Sequence, residues 1–204
     1  MRATIILWTC IFAVALGCQT PHKPVEEVKT QKPFIEQNLI DAERYAAAKL
    51  FVTKNIFNSN IAFFTDMHLR SGRKRFFVVD LAKDSVIVAG LVTHGHCQNY
   101  GSRKPQFSNE VGSNCTSLGK YKIGYKYPGN YGTAYKLHGL EESNSNAFDR
   151  FVVLHAHDCV TNTESVVGIC RSEGCPTVSP DFLTTLVEYI DASDKPILLW
   201  VYNN

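Results

Sequence analysis

The stretch Arg75-Phe76-Phe77-Val78-Val79-Asp80-Leu81, followed across Lys83-Asp84-Ser85 by Ser85-Val86-Ile87-Val88-Ala89-Gly90-Leu91-Val92, decides the fold class. β-Branched and aromatic residues fill both runs and a charged turn separates them, so the segment reads as a β-hairpin. Upstream, Ile61-Ala62-Phe63-Phe64 is a further strand, and the basic run Arg70 to Arg75 reads as a solvated turn in preference to an anion site. Before it, Leu39, Ala42, Ala46 and Leu50 recur at three- and four-residue spacing, which predicts a packing helix over 38–55. Downstream, Tyr121, Tyr125, Tyr127, Tyr131 and Tyr135 alternate with lysines and glycines. That texture fits strands joined by glycine turns beside a groove. Arg150-Phe151-Val152-Val153-Leu154-His155 is another strand. Ser179, Pro180 and Asp181 then open a helix whose apolar face is Phe182, Leu183, Leu186, Val187 and Ile190, and Ile197 to Tyr202 is a closing strand. The expected fold class is mainly β with flanking helices (α+β).

The chain has 204 residues, enough for about one domain. Its net charge of +2, with 20% charged and 45% hydrophobic residues, excludes a disordered chain and argues against a nucleic-acid binder. Met1-Arg2 precedes an apolar run over residues 5–17, shorter than the about 20 residues needed to span a bilayer. This reads as a secretory signal over 1–18. Ala15-Leu16-Gly17-Cys18 resembles a bacterial lipobox with Cys18 as the lipidated residue, while Ala13-Val14-Ala15 also fits ordinary cleavage. Residues 19–37, with Pro21, Pro24 and Pro33, are expected to be a disordered tether, leaving 38–204 as the folded domain. Either processing route places the domain outside the cytoplasm, as a periplasmic or outer-membrane-anchored lipoprotein or a secreted protein, where disulfides are permitted.

Chemistry concentrates in Thr93-His94-Gly95-His96-Cys97, His155-Ala156-His157-Asp158-Cys159 and Cys170-Arg171-Ser172-Glu173-Gly174-Cys175-Pro176. No zinc-ligand spacing of the CxxC or HExxH kind occurs, so no metal is expected. Cys175, after a glycine and before a capped helix, suits a nucleophile whose neighbouring backbone N–H groups hold an oxyanion. A thiol of pKa near 8.5 needs a base. His155, at the end of a strand 20 residues earlier, is the candidate, and His157 is its rival.

These residues resemble the L,D-transpeptidase catalytic domain of the YkuD type. Val92-Thr93-His94-Gly95, Phe107-Ser108-Asn109, Ser117-Leu118-Gly119, Tyr131-Gly132, Leu137-His138-Gly139-Leu140-Glu141, Asn146-Ala147, Arg150, His155 and Arg171-Ser172-x-Gly174-Cys175-Pro176 follow in that order. The resemblance covers about 38–204 and implies a β-sandwich-like domain with the cysteine on a loop over a groove. It also implies a thiolate that attacks the third residue of the peptidoglycan stem tetrapeptide and expels D-Ala. An amine of another stem then resolves the acyl-enzyme into a 3-3 crosslink. The resemblance implies no organic cofactor either. By position, Cys175 is the nucleophile, His155 the base, and Gly174 and Cys175 the oxyanion donors. His94, Ser108, Asn109, Ser117, Arg171 and Ser172 match positions near the groove. Two residues depart from the pattern. Glu173 stands where many members have His, and Ala156 follows the base where Gly or Ser is usual. The contact that orients His155 is therefore expected from a backbone carbonyl.

With Cys10, Cys18 and Cys175 set aside, four cysteines allow three pairings; Cys97–Cys115 and Cys159–Cys170 are favoured because each closes a short loop flanking the site, and four free buried thiols are the alternative. The expected partners are peptidoglycan stem peptides and, through the lipid alone, a membrane; no nucleic acid and a monomeric state are expected. The alternatives are an L,D-carboxypeptidase that uses water in place of the amine, and a non-catalytic wall-binding domain. A papain-like order, nucleophile first and histidine later, is the reverse of the order here.

Overall fold

In the computed structural model, residues 39–99 and 104–203 are described. The expectations for the leader, the tether and lipidation at Cys18 fall on residues outside these. Among the described residues, eight strands form one sheet: β1 Ile61–Asp66, β2 Phe76–Asp80, β3 Ser85–Gly90, β4 Gly119–Gly129, β5 Gly132–Gly139, β6 Val153–Ala156, β7 Thr177–Val178 and β8 Leu198–Tyr202, in the order β3-β2-β1-β8-β4-β5-β6-β7. Helices α1, Ala42–Lys54, and α2, Pro180–Asp191, flank it. The domain is mostly β with flanking helices.

The central strands are apolar on both faces, and their residues sort into two cores with the period of two that a strand imposes. Phe63, Phe76, Val78, Leu199 and Val201 face the core that α2 covers with Phe182, Leu183 and Leu186. Phe64, Phe77, Val79, Leu198 and Tyr202 face the core that α1 covers with Tyr45, Ala48 and Val52. Continuous apolar runs are the consequence of burying both faces. Helix α1 starts later than its periodicity predicts, because the Asp41 side chain accepts the Arg44 N–H at 2.8 Å and ends the extended chain there. Ser179 caps α2 in the same way, accepting from Phe182 N, with Pro180 at the start of the helix.

The two ends of the sheet meet. Val92, two residues beyond β3, bridges antiparallel to Val178 of β7, and Thr93 N donates to Thr177 O at 2.9 Å. The sheet is thus curled around the α2-side core, and the strand just after Cys175 closes it.

One expectation is corrected here. The run Arg70 to Arg75 is not simply a solvated turn. Arg75 is 1% exposed, and its guanidinium donates to Val92 O, Leu69 O and His94 Nδ1. The turn also packs on the 164–169 loop: Ser165 N donates to Gly72 O, and Arg73 pairs with Glu164.

Candidate active site

Cys175 and His155 come together because β6 and β7 are parallel neighbours with His155 opposite Thr177. Cys175, two residues before Thr177, stands a diagonal step from His155, roughly 6.6 Å along the strand direction. The preceding turn is tied by Ser172, whose hydroxyl donates to Cys175 O at 2.6 Å and accepts Gly174 N at 3.2 Å. Thr93 Oγ1 also donates to Cys175 O, at 3.2 Å. Gly174 has φ of +113°, and a Cβ there would lie 2.7 Å from Cys115 O, so the position requires glycine.

The half-buried Cys175 thiol is, among the described residues, the one free cysteine. Its sulfur accepts Val153 N–H at 3.4 Å and lies 3.8 Å from Phe151 O. Burial pushes the thiol above its ordinary pKa; the Val153 N–H and the charges of Lys136 and Arg150 pull against that rise. Lys136 is itself buried, donating to Phe148 O at 2.7 Å, and Arg150 donates to Cys115 O at 2.6 Å and Ser108 O at 2.9 Å.

His155 Nδ1 lies 2.9 Å from Ala156 O, the carbonyl contact expected from the departure at that position. A carbonyl can only accept, so Nδ1 carries the proton and Nε2 presents the lone pair. That lone pair meets Thr177 Oγ1 at 3.0 Å. Burial, and after it the neighbouring His157, holds the His155 pKa below the ordinary imidazole value, against the opposing pull of the Ala156 carbonyl. His157 is fixed the other way: its Nδ1 accepts Cys159 N–H at 3.0 Å, which leaves Nε2 protonated in the neutral ring. Of the two rings, His155 therefore offers the available basic nitrogen. Tyr131 lies over both, stacked on His155 at 5.4 Å and edge-on to His157 at 4.9 Å.

These groups line a groove of about 600 Å³, with Arg171, Ser172, Glu173, Tyr127 and Phe151 among its walls. The structure joins Cys97 to Cys115 and Cys159 to Cys170, and Cys159 is itself part of the groove wall.

Four of the sequence-derived groove residues lie elsewhere. Asn109 holds the turn over 142–147 by donating to Glu142 O and Ser145 Oγ, and Ser108 Oγ accepts Glu110 N. Ser117 is buried against Tyr121 OH at 2.7 Å. His94 is buried, and its carbonyl accepts Ser172 N, in the turn that carries Cys175, at 3.0 Å. The Gly174 N–H, expected at an oxyanion hole, is taken up by Ser172 Oγ, which leaves Cys175 N–H as the donor of that pair. Thr177 and Lys136 carry no signal in the sequence beyond strand-like texture, and Tyr131, although part of the ordered motif, gives no hint there of its stacking on the two histidines. The parallel register of β6 and β7 is what reveals Thr177.

Among solved structures, the L,D-transpeptidase from Mycobacterium smegmatis is similar at 15% identity over 70% of this chain and 58% of that one, with a TM-score of 0.41. The helical cell shape determining protein Pgp2 from Campylobacter jejuni is similar at 14% identity over 76% of this chain and 55% of that one, with a TM-score of 0.44. This chain thus spans less than two thirds of the length of either protein. No curated protein matches the chain. The sequence pattern of the L,D-transpeptidase catalytic domain, in contrast, matches residues 33–202, nearly all of the chain and every strand that builds the groove. The chain belongs to the L,D-transpeptidase catalytic domain family.

Proposed function

We propose that the domain forms 3-3 crosslinks in peptidoglycan through a Cys175 acyl-enzyme on the stem tetrapeptide. The observation that carries this reading is the pairing of β6 with β7, which presents a free thiol and an imidazole lone pair in one groove. In the reaction, Cys175 Sγ turns from Val153 N–H towards His155 Nε2 and gives up its proton there. The thiolate attacks the carbonyl of the third stem residue, and Cys175 N–H holds the oxyanion. The C–N bond to D-Ala breaks, and the leaving amine takes the proton from His155. The amine of a second stem then attacks the thioester and releases the thiol. Lys136 and Arg150 stabilise the thiolate while it exists. The proposal includes export of the chain and anchoring by lipid at Cys18.

The test is incubation with disaccharide tetrapeptides followed by mass spectrometry. Loss of D-Ala with dimer formation supports transfer. Monomeric tripeptide alone means hydrolysis, which makes the protein an L,D-carboxypeptidase. Neither product, with a Cys175→Ser variant still binding wall, means a binding domain.

A further inference from the structure

Behind the nucleophile's turn lies a second cavity, of about 920 Å³, that the proposed reaction does not use. Arg70, Arg75, Lys104 and Arg171 contribute to its wall together with His94, and no Asp or Glu does so among the described residues. Arg75 is 1% exposed, and none of the ion pairs among the described residues includes it. Its hydrogen-bond partners are the carbonyls of Val92 and Leu69 and the ring of His94. Burial lowers its pKa to about 10 and the charge of Asp66 opposes that fall, so the guanidinium stays charged at pH 7 in a poorly solvated place, which favours an anion nearby.

His94 is adapted to the same charge. Arg75 Nη2 lies 3.1 Å from its Nδ1 and can only donate, so the proton sits on Nε2 and the ring offers one further donor. Burial, and then the charges of Arg75 and Arg171, lower its pKa to about 4, so the ring is neutral at pH 7. Met67, Leu69 and Ile169 add apolar surface, and His68, Ser71 and Asn203 add neutral polar groups. Cationic forks beside apolar surface suit the end of a peptide better than a compact inorganic anion. Arg171 lines this cavity and the groove alike, so the two are neighbours.

We infer that this cavity is a binding site for the carboxylate end of a peptide, separate from the groove that holds Cys175. The stem peptides of the proposed reaction end in such carboxylates, and to that extent the assignment of the ligand rests on that reading; the binding test below does not depend on turnover.

The experiment uses the protein with Cys175 capped by iodoacetamide, so that it is inactive and its groove is blocked. N-Acetyl-D-alanine, its uncharged amide and inorganic phosphate are titrated separately and followed by NMR. The expected result is saturable binding of the acid, none of the amide, weaker binding of phosphate, and about tenfold weaker binding of the acid to Arg70→Gln. Arg70 is exposed, so this variant leaves the core intact. Equal binding of acid and amide, or an unchanged affinity in Arg70→Gln, overturns the site. Loss of acid binding on capping, with binding to the uncapped protein, assigns the carboxylate to the groove instead. Tighter binding of phosphate overturns the peptide assignment.

Discussion

The Thr177 hydroxyl lies 3.0 Å from His155 Nε2, on the lone pair to which the proposed reaction assigns the Cys175 proton. The sulfur meanwhile rests on Val153 N–H. Thiol and imidazole therefore each have another partner in this structure, and the proposed reaction requires them to exchange these for one another. Thr177→Val removes the competing hydroxyl at nearly constant volume. The expected outcome is a higher His155 pKa by NMR titration and several-fold faster alkylation of Cys175 at neutral pH. Slower alkylation would make Thr177 part of the proton path instead.

Alkylation also has a pH signature. The thiol lies above its ordinary pKa and His155 below its own, so the resting pair is neutral across the intervening range. The thiolate forms only as pH rises through the raised thiol value. The rate of reaction with iodoacetamide should therefore keep climbing beyond about pH 8.5, the ordinary thiol value. A plateau near neutrality would reveal a thiolate–imidazolium pair.

His94 links stability to acid. Its pKa falls from 6.5 to about 4 in the folded protein, so the unfolded chain takes up the proton first. Its contribution is complete above about pH 6.5 and is lost as pH falls towards 4. The size of the effect is about 3 kcal/mol. Urea denaturation at pH 7 and pH 4 measures it, and His94→Gln, which can still accept from Arg75, should flatten the difference.

Gly174→Ala places a methyl group 2.7 Å from Cys115 O on a backbone of φ +113°. The expected cost is about 1–3 kcal/mol. Turnover should fall at least tenfold, because the adjacent residue is the proposed nucleophile. Chemical denaturation and D-Ala release read the two effects separately.

Each disulfide should contribute about 3 kcal/mol through loop closure, with sequence separations of 18 and 11. Replacing Cys159 and Cys170 together by Ser should lower the melting temperature by about 10 °C. Peptide mapping without reductant checks the pairs directly, and four alkylatable thiols under those conditions would contradict them.

How much of this was legible in the sequence depends on how local each signal is. Ser179 and Pro180 announce α2 because a cap needs only its own next three residues. The runs at Ile61 and Phe76 announce strands, and their lack of polar alternation already reflects burial on both faces. That Cys175 and His155 share one groove is foreshadowed by the ordered motif, which contains both. Arg75 is misread because its carbonyl partners at Leu69 and Val92 and its ring partner at His94 meet it only once the chain is folded. Ser108, Asn109 and Ser117 match motif positions yet brace the chain behind the groove. A motif records what the domain requires, and bracing is as much a requirement as catalysis. Thr177 is hidden for another reason: its role follows from a parallel register between strands separated by 20 residues of chain.

The closure of the sheet at Val92 and Val178 has a consequence for how the protein fails. The two residues of β7 are held by β6 on one side and by a single bridge on the other. This seam has less to hold it than the long pairings of β1, β2 and β4, so it is the first part of the sheet to open in native-state fluctuations. Opening it separates the sulfur from the imidazole while both cores stay packed. Catalytic power should then be lost on warming before the molecule melts, and amide protons at 177 and 178 should exchange ahead of those at 62–65.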